Sequence, residues 1–353
     1  MSNKRIAANV VTYNRKQLLG ECIDALLNQT YPLDAIYIID NASTDGTPEF
    51  LKEKGLIDDP LFPDKEPVEA VKIISSPLHS EKIVEIHYVR IPENTGSSGG
   101  QHEGVRRGYD AGFDWLWLMD DDAEPKDNAL ELLVTSPYFS KDETGALLCS
   151  IRNKSNKCEA EQTYTEISTE SVVRCERVFR GKTITISDFD QPFLKVSTYP
   201  LLGIFVRREA ITKVGNVNKE FFIFSDDLDF TLRISDSYEM WIVRNSIIKH
   251  KAAAALFTPR MVLGRQIHFI PIQNHWREYY GYRNYIYIAL QRLGLARTLL
   301  VLAGYTKVIG KYLLLGDHKF LRMSIYIKAL KDALFGTLGK NIDPKQFSKL
   351  IAK

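Results

Sequence analysis

The chain has 353 residues, 44% apolar and 25% charged, which excludes a disordered or fibrous protein and is long enough to bury a sizeable core. Its net charge of +2 hides an asymmetry: residues 255–353 hold 16 Lys and Arg against 4 Asp and Glu, and the totals of 46 and 44 leave 30 and 40 for residues 1–254. A basic tail on an acidic body points to an anionic partner, and four cysteines without CxxC pairing (Cys22, Cys149, Cys158, Cys175) fit a reducing, cytoplasmic setting better than a disulfide framework.

The N-terminus, MSNKRIAANVVTYN, is basic but has no long apolar core, so no signal peptide is expected. Ile6–Thr12 reads as a buried strand, Lys16–Asn28 has helical apolar spacing, and Ala35–Asp40 is a second strand. Asn41–Gly46 is rich in turn and capping residues and Thr47–Lys54 reads as the next helix. This alternation predicts a parallel sheet with its ligands at the carboxyl ends of the strands. Gly55–Glu69, with three prolines, reads as a loop insertion, and Val71–Ser75 and Ile83–Ile91 as strands. Pro92–Gly100 is expected to be a glycine-rich loop, followed by a helix across Glu103–Gly112.

Trp115–Met119 is an apolar strand that runs into Asp120, Asp121 and Asp122. Three adjacent carboxylates repel one another, and a hard divalent cation relieves that repulsion, so Mn²⁺ or Mg²⁺ with a diphosphate is a natural partner. A solvated acidic turn would look the same in isolation. Glu93–Gly100 offers small residues whose backbone amides can approach phosphates, but it matches neither a Walker loop nor a dinucleotide fingerprint. Phe221–Arg233 carries Asp226, Asp227 and Asp229 beside aromatics; such acids can have raised pKa values and act as bases, or can simply open a helix capped by Ser225. Gly145–Arg208 is mixed and strand-rich, and from Gln273 the pattern turns helical and basic.

Together VTYNR (Val11–Arg15), IIDNASTDGT (Ile38–Thr47), ENTGSSGG (Glu93–Gly100), WLMDDDAEP (Trp117–Pro125), the stretch Val214–Arg233 and His250 resemble family 2 glycosyltransferases of the GT-A fold. The resemblance implies an α/β architecture: a Rossmann-like, mostly parallel sheet flanked by helices, with a C-terminal helical extension. It implies a catalytic domain over 1–254, with the acceptor half from about 145, and a helical region over 255–353. Thr12, Tyr13, Asn14 and Arg15 would touch the nucleotide, Asp40 would hold the base, and Asn94, Gly99 and Gly100 would line the donor. Asp120 and Asp121 would sit near the nucleoside, with Asp120, Asp122 and His250 on the metal. Asp227, second of an acidic pair, would be the catalytic base of an inverting transfer.

NTGSSGG resembles the loop of galactofuranosyltransferases, which use UDP-galactofuranose, although Leu201–Leu202 stand where those enzymes tend to carry a Trp pair. A rhamnosyltransferase using a dTDP-sugar is the alternative, and a non-catalytic binder of sugar nucleotides or anionic polymers is another. Nucleic acid is not an expected partner, because it leaves the acids of the body unexplained. In the tail, Leu295, Leu299, Leu302, Ile309 and Leu313 can share a helix face flanked by Arg297, Lys307 and Lys311. Such a face suits an anionic membrane surface as well as a helical cap packed on the catalytic domain; the first would place the enzyme at the inner face of the cell membrane with a glycan or lipid-linked glycan acceptor.

Overall fold

The computed structural model describes residues 4–152, 191–251, 258–262 and 265–351. Cys158 and Cys175, and much of the strand-rich stretch expected after Gly145, lie outside the described residues. The chain divides into two compact units, Met1–Asn218 with Asp227–Ala252, and Lys219–Asp226 with Ala253–Lys353.

The first unit is built on a ten-stranded sheet: β1 (Ile6–Thr12), β2 (Ala35–Asp40), β3 (Val68–Ser75), β4 (Ile83–Arg90), β5 (Trp115–Asp120), β6 (Ala123–Pro125), β7 (Thr144–Arg152), β8 (Phe193–Val196), β9 (Ile204–Arg207) and β10 (Glu239–His250). The order is β3-β4-β2-β1-β5-β9-β7-β10-β6, with β8 also on β10. β4, β2, β1 and β5 are parallel. β9 is antiparallel to both β5 and β7, and β10 is parallel to β7, so six of the ten strands share one direction. Their carboxyl ends therefore gather along one edge, the position where open α/β sheets bind ligands. β1 and β2 are buried along their whole length, which is why they read as unbroken apolar runs rather than alternating ones. β3 begins three residues earlier than its sequence suggests and alternates in exposure, as befits an edge strand.

Helices α1 (Lys16–Leu27), α2 (Thr47–Glu53), α3 (Gly96–Asp110), α4 (Ala129–Val134), α5 (Arg208–Val214) and α6 (Asp226–Ser235) flank the sheet. α3 corrects the glycine-rich loop expected over Pro92–Gly100, because the helix starts at Gly96. Its glycines at four-residue spacing face the sheet: a Cβ on Gly100 would lie 2.5 Å from Val11, on Gly108 2.5 Å from Leu116, and on Gly104 1.8 Å from Asn9 Oδ1. Close helix–strand approach, rather than chain flexibility, explains them. Gly104→Ala is expected to destabilise the protein by about 1 kcal/mol, since overpacking at about 2 kcal/mol outweighs a helix-propensity gain of about 1 kcal/mol. A higher melting temperature for that variant would contradict this packing.

The second unit contains β11 (Thr258–Val262), β12 (Arg265–Phe269), α7 (Trp276–Leu315), α8 (Lys319–Leu334) and α9 (Pro344–Ile351). Its core includes Phe222, Tyr279, Tyr280, Ile325, Ala329 and Phe347. α7 is interrupted at Gly294, where φ is 71° and ψ 172°. Of the apolar face expected along this helix, Ile309 packs with Phe269, Tyr312 and Tyr326, whereas Leu299 and Leu313 are exposed. The side chains of Leu295, Arg297 and Lys307 lie outside the described residues. Among the described residues no helix is long and apolar enough to cross a membrane.

His275 is fully buried and its Nδ1 lies 3.0 Å from Arg322 Nη1. Burial, reinforced by that guanidinium, pushes the imidazole down to about 3. The unfolded chain therefore takes up the proton first, and stability is lost as pH falls below about 6.5. His275→Gln is expected to flatten this loss by about 2 kcal/mol at pH 5 relative to pH 7. Parallel acid limbs for the two proteins in pH-dependent melts would contradict the assignment.

Candidate active site

Strand register assembles the site. Thr12 pairs with Asp40, Asp40 with Arg90, and Val11 with Asp120, so one row of backbone delivers these side chains to the carboxyl edge. Asp40 is wholly buried; it accepts from Tyr88 Oη at 2.7 Å and from the Ser43 amide at 2.8 Å. Arg90 Nε is 3.8 Å away, and Arg90 Nη2 donates to the Ser43 carbonyl at 2.8 Å. Asp40 thus holds the turn after β2 in shape. Arg90 also lies 4.8 Å from the ring centre of Phe62, which is well exposed.

The loop after β1 is locked to that turn. Asn14 adopts φ 55°, a left-handed conformation Asn tolerates better than most residues. Its amide donates to Ser43 Oγ at 2.9 Å, and its Oδ1 accepts from the Thr44 amide at 2.6 Å. Tyr13 is half-buried. Arg15 turns to the end of β5, with Nη1 3.2 Å from Asp121 Oδ1 and 2.9 Å from Asp122 Oδ2. Thr12 Oγ1 donates to Asp121 Oδ2 at 2.8 Å.

The three aspartates have different surroundings. Asp120 Oδ1 accepts from Gln101 Nε2 at 3.3 Å, and Gln101 is oriented by Asn9. Asp121 is 3% exposed; burial raises its carboxyl to about 6 against the opposing pull of Arg15 and Thr12. Asp122 is 6% exposed. Burial pushes it up too, but His250 and Arg15 outweigh that and hold it below the ordinary range. His250 ends β10, and its Nε2 is 3.6 Å from Asp122 Oδ2; the Lys251 amide donates to the Asp122 carbonyl at 2.9 Å.

Among the described residues no group of three or more His, Cys, Asp and Glu side chains converges as a cation cage. A hard carboxylate and an imidazole facing each other nevertheless fit Mn²⁺ or Mg²⁺, which often take one or two protein ligands and complete their shell with water and phosphate oxygens.

Asn41 joins the start of α3 to this edge. Its Nδ2 donates to the Gly96 carbonyl at 2.7 Å, and its Oδ1 accepts from the Thr95 amide at 2.8 Å. Asn94 Oδ1 accepts from the Gly96 amide at 2.8 Å. Gly99 and Gly100 are buried in the first turns of α3, with Gly100 against Val11.

Asp227 lies in the first turn of α6. Its Oδ1 accepts from the Leu228 amide at 2.7 Å, and Thr231 Oγ1 donates to its carbonyl at 2.6 Å. Burial raises its carboxyl above the ordinary range, which suits a base working near neutrality. Ser225 has φ 62°, not the extended backbone typical of an N-cap, so the capping expectation fails. Phe222 and Phe224 are also left-handed, at 67° and 64°, a conformation that costs of order 1–3 kcal/mol per residue unless its surroundings enforce it. Within the second unit Asn284 Nδ2 donates to the carbonyls of Phe221, Ile223 and Phe224 at 3.0, 2.9 and 2.8 Å. Arg283, fully buried, donates to the carbonyls of Gly339, Glu220 and Phe221 at 2.6, 3.2 and 3.1 Å.

The structure therefore brings together Thr12, Arg15, Asp121, Asp122 and His250, and braces Asn14 and Asp40 beside them. Asn41, Arg90 and Gln101 are supporting residues that sequence reasoning missed. Leu201 and Leu202, expected on the acceptor side, are 7% and 5% exposed and join the main core.

Six strands sharing one direction, with acids closing the central one, define a GT-A-like fold. The chain belongs to Glycosyl transferase family 2, whose profile matches residues 9–215. It is 26% identical over 148 residues to galactofuranosyltransferase GlfT1 of Mycolicibacterium smegmatis, covering 41% of this chain and 40% of that protein. It is 24% identical over 219 residues to GlfT1 of Mycobacterium tuberculosis (strain H37Rv), covering 58% and 62%. The chain thus spans less than two thirds of the length of these relatives.

Among solved structures, S. aureus TarS 1-349 in complex with UDP-GlcNAc superposes with a TM-score of 0.52 at 11% identity, over 93% of this chain and 80% of that one. GalNAc-T7 with UDP, GalNAc and Mn²⁺ gives 0.50 at 14% identity, over 82% and 48%. At such identities the likeness is one of fold.

Proposed function

We propose that the protein is an inverting glycosyltransferase that moves a sugar from a nucleoside-diphosphate donor, UDP-galactofuranose in the first instance, to a glycan or lipid-linked glycan. The observation that carries this reading is the convergence of Thr12, Arg15, Asp121, Asp122 and His250 at the carboxyl edge of the sheet. The GlfT1 relatives favour galactofuranose over the rhamnose alternative, and their enzymatic character favours catalysis over simple binding.

In this reading Tyr13 and the turn held by Asp40 and Asn14 receive the nucleoside. Asp120 and Asp121 face its ribose, while Asn94, Gly99 and Gly100 border the donor from α3. Asp122 and His250 would hold Mn²⁺ or Mg²⁺, with Asp120 as a further oxygen ligand, and the cation would supply Lewis-acid neutralisation of the diphosphate. Arg15 adds a fixed positive charge where the leaving group becomes more anionic. Asp227 accepts the proton of the acceptor hydroxyl as that oxygen forms its bond to the anomeric carbon and the donor's bond to phosphate oxygen breaks. One base and attack from the face opposite the leaving group invert the configuration.

A thermal-shift screen of UDP-, dTDP- and GDP-sugars with Mn²⁺ tests the donor. The largest rise is expected with UDP-galactofuranose. A larger rise with dTDP-rhamnose would select the alternative, and no rise with any of them would remove the reading. Binding without transfer or nucleoside-diphosphate release would mark a non-catalytic protein. We further propose that the enzyme works at the inner face of the cell membrane, in keeping with its basic C-terminal region.

A further inference from the structure

The last turn of α7, the outer face of α8 and the residue that follows it leave large apolar side chains in water. Leu314 is 78% exposed, Phe320 92%, Ile327 62% and Phe335 77%. Phe320, Ile327 and Leu334 recur every seven residues, which puts them on one stripe of a helix, and Leu334 too is exposed. The opposite face of α8 is satisfied: Ile325 and Ala329 enter the core of the second unit, and Arg322 is buried against Asp317 at 2.5 Å. An exposed run of this kind on a soluble chain marks an interaction surface.

Its charges identify the partner. Lys319, Lys328 and Lys331 are exposed on α8, and its single acid, Asp332, is buried, accepting from Tyr279 and Lys328. A second copy docked by twofold symmetry would set lysines against lysines. An anionic lipid surface takes both features, the apolar side chains entering the acyl boundary and the lysines meeting headgroup charge. Resting on the membrane location proposed above, we infer that the last turn of α7 and the outer face of α8 form the membrane contact, in place of the α7 face expected from the sequence.

The test is flotation of the full chain with vesicles of equal parts phosphatidylglycerol and phosphatidylcholine, and with phosphatidylcholine alone. The wild-type protein is expected to float with the mixed vesicles, weakly with the neutral ones, and less in high salt. Phe320→Ser with Ile327→Ser, and separately Lys328→Glu with Lys331→Glu, are each expected to weaken binding by about tenfold or more. Donor-induced thermal shifts should be unchanged, showing that the variants are folded. Equal flotation of wild type and both variants would move the contact elsewhere while leaving the membrane location standing. A wild-type protein that fails to float would remove both. Dimers in light scattering that the Phe320/Ile327 variant converts to monomers, without vesicle binding, would assign the surface to a second copy.

Discussion

Asp227→Asn is expected to lower kcat about a thousandfold while donor affinity stays within about threefold of wild type. A positioned general base contributes roughly 10²–10⁴ to the rate, and an amide cannot take the acceptor proton. The change is nearly isosteric, and the Oδ1 acceptor for the Leu228 amide survives, so the helix start should hold. The wild-type rate should rise with pH through a midpoint above the ordinary aspartate range, because burial raises this carboxyl and only its deprotonated form is a base. That limb should vanish in the variant. Near-normal turnover of Asp227→Asn, with the acid limb retained, would assign the proton to another group.

Asp122→Asn should weaken donor binding in the presence of Mn²⁺ by about 100-fold, the scale on which changes around a metal site act. Without Mn²⁺ the two proteins should differ far less. Asp122 combines deep burial with a carboxyl held in its charged form by His250 and Arg15, the condition a cation ligand needs. Asp121, raised to about 6 by burial and bonded to Thr12, is less suited to that role. Calorimetric titrations of nucleoside diphosphate, with and without metal, decide the matter: an Asp122→Asn protein with full metal-dependent affinity would exclude this residue as a ligand.

The sheet was legible because its buried strands are written as unbroken apolar runs, and the acidic edge because WLWLM can end nowhere but at a strand's carboxyl end. The start of α3 was misread because three glycines and two serines in five residues (Gly96–Gly100) argue locally for a loop. Only the distances to Val11, Asn9 and Leu116 reveal that the helix needs them to approach the sheet. Asn41 and Gln101 were invisible for a different reason: each acts through hydrogen bonds to residues 18 to 92 positions away, and no local pattern encodes such a partner. In the tail a helical wheel cannot tell that Ile309 packs with Phe269 and Tyr312 whereas Phe320 is left 92% exposed.

One guanidinium spanning two carboxylates has a practical corollary for handling the protein. Because Arg15 already offsets the repulsion between Asp121 and Asp122, the polypeptide need not borrow rigidity from a bound ion. Chelating buffers should strip catalytic competence while leaving a cooperative, well-folded protein that recovers when manganese is added back.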